Sequence, residues 1–426
     1  MSIYTELFKY YTSSICFRKK TIGNVRKKQL EKFAEIFEYA KQHSPFYQKV
    51  YSEAGIMDLK IRSWEDVEKV PVIDKSLLRK YSTQEIMTCP IAPDLVLHST
   101  SGSTGEPFKI YQTKFEEFTA HIRVFRLLRS LGYHPFKKIV MIIRYENNAR
   151  FEVEKELSLL SKLQRVLKIF QRKIVSIYED PKKMVEDLEK NNADILWTTP
   201  SALEVICNEL ASQNKIMRIP YVVSFAETLF PHQYQKIKEC LALNIVNLYG
   251  MMECPTIGYE VNGDGKMSVF SEFVLVQEKG NDDMPDQMTP VITNLINHTM
   301  PFIRYNTNDI SNKVDSKDFP NKVMGNVVGR VNDILQLPDG RIFFYQQASR
   351  LFMDFSACER YKFIQQKDGK IILQLKIKEN ADRSLVEKLA YERWEARFPK
   401  EFITIAFVDD FYIDPKTGKF KVMEKL

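Results

Sequence analysis

The sequence predicts an α/β protein in two parts, a large N-terminal α/β domain carrying an antiparallel β subdomain and a small C-terminal α+β domain. Short apolar runs, IVMII (139–143), IVSIY (174–178), ADILWTT (193–199), YVVSF (221–225) and NIVNLY (244–249), alternate with helical patterns. Runs of that length between helices indicate parallel strands covered on both faces. After about residue 265 the character changes, because strand-like SVFSEFVLV and TPVITNLI follow one another across polar turns with little helix. Such segments form an antiparallel subdomain. GRVNDILQLPDG (329–340) then ends the large part, and a strand, IILQLKI, with a helix, SLVEKLAYERWEARF, begins the small one. The boundary is set near Asn332, giving domains of 1–331 and 332–426. A chain of 426 residues, 44% of them hydrophobic, can bury more than one core.

Each element has a local cause. Leu30, Phe33, Ala34, Phe37 and Ala40 recur at helical spacing until SPF at 44–46, so an amphipathic helix is expected over 24–43. Leu95 to Leu97 read as a short buried strand, followed by a Ser/Thr/Gly loop at 99–105 and a second strand from Phe108 to Tyr111. Between 156 and 173, Leu157, Leu160, Leu163, Leu167 and Phe170 form a stripe flanked by Lys162, Arg165, Lys168, Arg172 and Lys173. That pattern fits a surface helix packed on the sheet; the alternative is peripheral contact with an anionic membrane.

Composition removes several function classes. Sixty-two Lys+Arg against 55 Asp+Glu leave a net charge of +7, spread without a dense basic block, so no nucleic-acid partner is expected. The six cysteines are far apart, with no Cys-x-x-Cys and no histidine at ligand spacing, which suggests free thiols in a reducing compartment. The first twenty residues lack a long apolar core, and no run approaches the ~18 residues a membrane span needs. A cytoplasmic protein without a transmembrane segment is expected.

Chemistry concentrates in five places. The segment HSTSGSTGEPFKI (98–110) gathers Ser101, Gly102, Ser103, Thr104 and Gly105, small residues whose backbone N–H groups and hydroxyls can converge on phosphates. It is not a Walker A loop, because Gly105 is followed by Glu106 and Pro107 instead of Lys and a helix. NLYGMMECP (247–255) ends a buried strand in an aromatic, a glycine and a carboxylate, where open parallel sheets hold ligands. MPFIRYNTNDIS (300–311) carries Arg304 and Asp309, GRVNDIL (329–335) carries Arg330 and Asp333, and DPKTGKFKVMEK (414–425) places Lys419 after Gly418. Singly, each has a structural explanation as a surface charge, turn former or ion-pair partner. Their joint order along one chain is what distinguishes them.

That order resembles the adenylate-forming superfamily of acyl-CoA synthetases, nonribosomal-peptide adenylation domains and luciferases. More narrowly it is similar to the phenylacetate-CoA ligase branch and its relatives from capsular polysaccharide clusters. YAKQHSPFYQKVYSEAGI followed by WEDVEKVPVIDKSLLR matches that branch's N-terminal pattern, so the resemblance covers nearly the whole chain. It implies a large adenylate-forming domain with a small mobile lid domain, and residue roles follow. TSGSTGEP would be the phosphate-binding loop, with Thr104 catalytic. FAETL (Ala226, Glu227, Thr228) would form the adenine pocket, and Asn247, Tyr249, Gly250, Met251 and Met252 would also meet the nucleotide. Glu253 would hold Mg²⁺, Asp309 the ribose and Arg330 the ribose and α-phosphate. GRVND would be the hinge, and Lys419 the mobile catalytic lysine, with Lys421 its alternative.

The activity implied is ATP-dependent activation of a small carboxylic acid to an acyl-adenylate, followed by transfer to coenzyme A. The alternatives are a carrier-protein thiol or a sugar as acceptor, or a degenerate relative that binds nucleotide without catalysis. Relatives in this branch are often homodimers. Four departures bear on activity: Met252 where the family has Thr, Asn308 for Gly, Asn332 for the first hinge Asp, and Glu106 where many relatives have Lys. Asn308 tolerates positive φ and should keep its turn. Cys254 is read as a packed thiol, not a nucleophile. Tyr133, His134, Trp197, Ser224 and Phe225 are candidates to line the acid pocket.

Overall fold

The computed structural model describes residues 22–99, 108–134, 136–143, 172–261, 263–281, 284–314, 323–330, 334–344, 351, 357–411 and 422–426. It divides into two compact units, one of residues 1–307 with 311–327, the other of 308–310 with 328–426. The division therefore falls just before the GRVND segment, and the short stretch holding Asp309 groups with the smaller unit.

In the larger unit a helix, Ile22–His43, buries Phe33, Ile36, Phe37 and Ala40, the i, i+3, i+4, i+7 stripe of an amphipathic helix. It shares a core with the next helix, Pro45–Glu53: Phe37 and Tyr51 stack at 4.8 Å between ring centroids. Tyr47 anchors this layer to the far end of the unit, its hydroxyl donating to the Pro301 carbonyl at 2.9 Å and accepting the Ile303 N–H at 3.1 Å.

The hairpin β1 (Val96–Ser99) and β2 (Lys109–Gln112) pairs antiparallel, with Ser99 opposite Lys109. The predicted buried strand is instead a two-stranded edge feature in which Leu97 is 48% exposed, because a hairpin outside the main sheet covers only one face. The main sheet contains β3 (Ile139–Ile143), β4 (Arg172–Ser176), β5 (Ile195–Thr198), β6 (Ile219–Ser224) and β7 (Ala242–Tyr249), all parallel. Strands β8 (Gly258–Glu260) and β9 (Lys266–Val269) extend it antiparallel. Arg172 and Lys173, expected on the basic helix, belong to strand β4, where they pair with Ile139 and Val140 of β3. The rest of that helix, 156–171, lies outside the described residues.

Both sheet faces are filled. Leu196, Val222 and Ile245 look into one core with the helices Pro181–Asn191, Pro200–Ser212 and Pro231–Cys240, while Trp197, Val223 and Val246 look into another with the helix Lys114–Ser130. The antiparallel subdomain joins β10 (Val274–Asn281) to β11 (Met284–Asn294), and β11 in turn to β12 (Tyr305–Asn306) and β13 (Asp309–Asn312). Strand β14 (Val323–Gly325) returns to pair with β9, so the eight-stranded order is β14-β9-β8-β7-β6-β5-β3-β4.

The smaller unit begins with Val328 to Arg330 of β15 (Val327–Arg330), followed by a hairpin of β16 (Ile334–Gln336) and β17 (Ile342–Phe344) and a four-stranded sheet. That sheet has β18 (Cys358–Gln365) and β19 (Ile371–Ile377) at its centre, with β20 (Ile403–Phe407) and β21 (Met423–Lys425) at the edges, in the order β20-β19-β18-β21. The helix Arg383–Glu395 covers it through Val386, Ala390 and Trp394. Trp394 is 1% exposed, meets Phe343, Phe363 and Phe398 ring to ring, and donates from Nε1 to the Pro399 carbonyl at 2.8 Å. Trp394→Ala should therefore cost this unit ~3–5 kcal/mol, read as a lower urea midpoint for the transition that a near-ultraviolet signal assigns to the small unit. Among the described residues no helix is long and apolar enough to cross a membrane.

Candidate active site

Strand β7 delivers the central residues. After Tyr249, the Ile257 N–H returns to the Tyr249 carbonyl at 2.8 Å, and Met251 and Cys254 exchange reciprocal backbone bonds at 3.2 Å. This tight loop places Glu253 at the carboxyl end of the parallel sheet. Gly250 permits the loop to close, because a Cβ there would stand 2.4 Å from the Thr256 backbone nitrogen. Gly250→Ala must push Thr256 away, and a destabilisation of ~1–3 kcal/mol with a displaced Glu253 is expected. Urea unfolding and nucleotide binding would measure the two effects.

Glu253 is only 4% exposed. Its Oε1 lies 3.2 Å from Lys75 Nζ and accepts the Tyr305 hydroxyl at 3.3 Å, while Asn294 Nδ2 donates to the Glu253 carbonyl at 3.5 Å. Glu253 is thus a buried carboxylate held by a cation and a hydroxyl.

Lys75 is the residue that sequence reasoning missed. It opens the short helix Lys75–Leu78, capped by Asp74, whose Oδ1 accepts the Leu77 N–H at 2.8 Å. Just before it, the Ile73 N–H donates to the Arg304 carbonyl at 3.1 Å and the Ile73 carbonyl accepts the Asn306 N–H at 2.8 Å, pinning this segment beside β12. Lys75 Nζ also sits 5.5 Å above the Phe108 ring, at the residue that leaves the Ser/Gly loop. The ammonium thus stands between the exit of that loop and Glu253. Only the N-cap pattern at Asp74 was readable in advance; the ion partner lies 178 residues away.

The Ser/Gly loop is held at its two ends by β1 and β2. Ser101, Gly102, Ser103, Thr104, Gly105 and Glu106 lie outside the described residues, as do Asn332, Asp333, Lys419 and Lys421. Arg330 is the last residue of β15. Asp309 is buried at the start of β13, behind Asn308 at φ 55°, the left-handed conformation its turn requires.

Arg304 is not a free phosphate cation. It is 8% exposed, and its guanidinium donates to the Val67 and Val70 carbonyls at 2.8 and 2.9 Å and to Glu68 Oε2 at 2.6 Å. It caps the carboxyl end of the helix Trp64–Lys69 and ties that helix to the unit. In the FAETL segment Ala226 adopts φ 67°, and Glu227 turns to the helix Pro200–Ser212, accepting the Ser201 N–H and hydroxyl at 3.0 Å each. Thr228 is half-buried beside it. Met251 packs against the first core and Met252 is half-exposed, with no donor to offer a phosphate. Cys254 is fully buried, and burial pushes its thiol up to about 12, so it is inert as a nucleophile.

The acid-pocket candidates separate. Trp197 and Phe225 lie 5.7 Å apart and share a cluster with buried Tyr133. Strand alternation turns Ser224 to the opposite face, and His134 is exposed beside Phe136.

No family model matches the chain. It is 21% identical to a phenylacetate-coenzyme A ligase of Pseudomonas putida, over 82% of this chain and 81% of that one. It is 23% identical to Protein CapK of Staphylococcus aureus, over 85% of this chain and 81% of that one. Among solved structures, a 2-hydroxyisobutyryl-CoA ligase in the postadenylation state, in complex with 2-HIB-AMP, matches with a TM-score of 0.70 at 15% identity, covering 93% of this chain and 88% of that one. The chain shares the fold of that CoA ligase. The similarity to phenylacetate-coenzyme A ligases and to Protein CapK runs along more than four fifths of the chain.

Proposed function

We propose that this chain activates a carboxylic acid with ATP, forming an acyl-adenylate and releasing pyrophosphate, and then passes the acyl group to the thiol of coenzyme A. The observation that carries this reading is the buried Glu253–Lys75 pair at the carboxyl end of the parallel sheet. The substrate carboxylate attacks the α-phosphorus while the bond to pyrophosphate breaks, so two anions must be drawn together. A site that does this needs fixed positive charge and donors aimed at the shifting charge. Ser101, Ser103 and Thr104 are assigned to the β- and γ-phosphates, with Lys75 as an additional cation close by. Asp309 would accept from both ribose hydroxyls, as a two-oxygen acceptor can. Arg330 and Lys419 are assigned to the α-phosphate.

Glu253 fits Mg²⁺. That ion takes one or two carboxylates and fills its shell with phosphate oxygens and water, and among the described residues no cluster of three or more acidic, His or Cys side chains offers a fuller cage. Lys75 and Tyr305 engage Oε1, and Oε2 is the oxygen assigned to the metal. When bound, Mg²⁺ supplies charge that offsets the phosphate oxygens. The chain is assigned to the cytoplasm, where ATP and coenzyme A are at hand, and to a homodimer.

A second reading, nucleotide binding without catalysis, is favoured by Met252, which gives no hydrogen bond where the family resemblance implies a Thr hydroxyl. A pyrophosphate-release screen over aromatic, aliphatic and amino acids, with and without coenzyme A, decides between them. Acid-dependent release that accelerates with the thiol is expected. ATP binding with no release from any acid would establish the second reading.

A further inference from the structure

The cysteines are scattered along the chain, yet the fold brings two of them together. Cys207 lies in the helix Pro200–Ser212, and Cys240 is the last residue of the helix Pro231–Cys240. Each helix follows one of the neighbouring parallel strands β5 and β6, and the two share a core on one face of the main sheet. Their line of contact is marked by Gln233 Nε2, which donates to Glu204 Oε2 at 3.0 Å, and by Lys236 Nζ, which donates to Asn208 Oδ1 at 2.5 Å. Cys207 stands one helical turn beyond Glu204 and Cys240 one turn beyond Lys236, so both cysteines fall on that line. Their thiols are hydrogen-bonded to one another. Cys207 is fully buried and Cys240 half-buried.

The two thiols differ in character. The hydrogen bond from Cys207, with the charges of Lys236 and Arg218, holds the Cys240 thiol below its ordinary range in spite of partial burial. Arg218 is fixed at that end of the helix, its Nη1 donating to the Glu239 carbonyl at 2.7 Å. These cations offset the carboxyl end of the helix, which by itself disfavours a thiolate. Cys207 is shifted the opposite way, by its bond to Cys240 and then by burial. Cys240 also stands apart from the other described thiols, because burial raises Cys89 and pushes Cys254 and Cys358 up to about 12. Cys16 lies outside the described residues. A reachable sulfur with thiolate character therefore touches a second, buried sulfur, which is the arrangement of an attacking and a resolving thiol.

We propose that Cys207 and Cys240 form a redox-active dithiol that hydroperoxides oxidise to a disulfide. The Cys240 thiolate attacks the terminal peroxide oxygen, an S–O bond forms and the O–O bond breaks. The departing oxyanion takes up the proton that Cys240 released and leaves as water or an alcohol. Cys207 then attacks the sulfenic sulfur of Cys240, the S–O bond breaks, and the Cys207 proton leaves with the hydroxide as water. Two electrons pass from the thiol pair to the peroxide, and a disulfide joins the two helices. A thiol pool such as that of the cytoplasm reverses the step by exchange. Neither step uses Glu253, Lys75 or a nucleotide, so the inference stands apart from the ligase reading.

The test is limited oxidation of the full chain with hydrogen peroxide, followed by alkylation and peptide mapping. Cys207 and Cys240 should be lost together in a cross-linked peptide that dithiothreitol releases, with Cys89 and Cys358 reacting at least about tenfold more slowly. Oxidation spread evenly over the cysteines, or loss of Cys240 without a link to Cys207, would overturn the inference. Cys207→Ala removes the resolving thiol, so dimedone should then trap Cys240 as its sulfenic acid with no cross-link formed; no label at Cys240 would overturn its role as the attacking sulfur. Should that variant fail to fold, Cys240→Ser at the half-buried position decides. It should protect Cys207 from peroxide, and a Cys207 oxidised as fast as in wild type would sink the proposal.

Discussion

Replacing Glu253 with glutamine is expected to lower acyl-adenylate formation by about a hundredfold or more while leaving the protein folded. Glutamine keeps the shape of the side chain, and its Oε1 can still accept from Lys75 and Tyr305, which lie 3.2 and 3.3 Å from the carboxylate. What it removes is the negative charge, and with it the ligand assigned to Mg²⁺ and the compensation for Lys75. The Lys75 side chain is 29% exposed, so water takes over part of that compensation. The stability cost is correspondingly small, about 1 kcal/mol. Pyrophosphate exchange measures the first effect and urea unfolding the second. A variant that exchanged pyrophosphate at the wild-type rate would remove Glu253 from the chemistry and reduce its pair with Lys75 to a fold contact. Lys75→Met is the complementary change: it keeps the carboxylate and deletes the cation, so slower exchange with weaker ATP binding is expected.

The parallel sheet was legible because its strands are buried on both faces, and burial writes itself into the sequence as apolar runs, unbroken in IVMII and interrupted only by asparagines in NIVNLY. Antiparallel β8 was not, since Gly258–Glu260 is three residues long and carries no pattern. The site divides along similar lines. Glu253 was legible from its place after a buried strand and a glycine, a local arrangement. Lys75 and Arg304 were not, because their roles depend on partners far away in the chain: Lys75 meets Glu253, and Arg304 meets the carbonyls of Val67 and Val70. The sequence marked Arg304 only as a charge in the same segment as Asp309. Its guanidinium is spent on closing a helix, and the same contacts set the segment that brings Lys75 to Glu253. Trp197 and Ser224 illustrate the remaining difficulty. Both lie within two residues of the ends of adjacent strands, yet one faces the aromatic cluster and the other the opposite side, a distinction that needs the register.

The sharpest division of the proposed chemistry comes from Lys419. Lys419→Ala should depress acyl-adenylate formation by about a hundredfold to a thousandfold, yet leave the reaction of a supplied acyl-adenylate with coenzyme A close to the wild-type rate. The asymmetry follows from charge. In the first half-reaction a carboxylate approaches a triphosphate, and a cation bridging the two offsets repulsion that grows towards the transition state. In the second a thiol attacks a mixed anhydride already formed, and the negative charge leaves with AMP, so a cation held on the small domain is no longer required at that point. The two halves are separable in one preparation: pyrophosphate exchange reports the first, and thioester formation from synthetic acyl-adenylate reports the second. Equal loss in both would make Lys419 a general binding residue, and no loss in either would transfer the role to Lys421, which Lys421→Ala then tests by the same pair of assays.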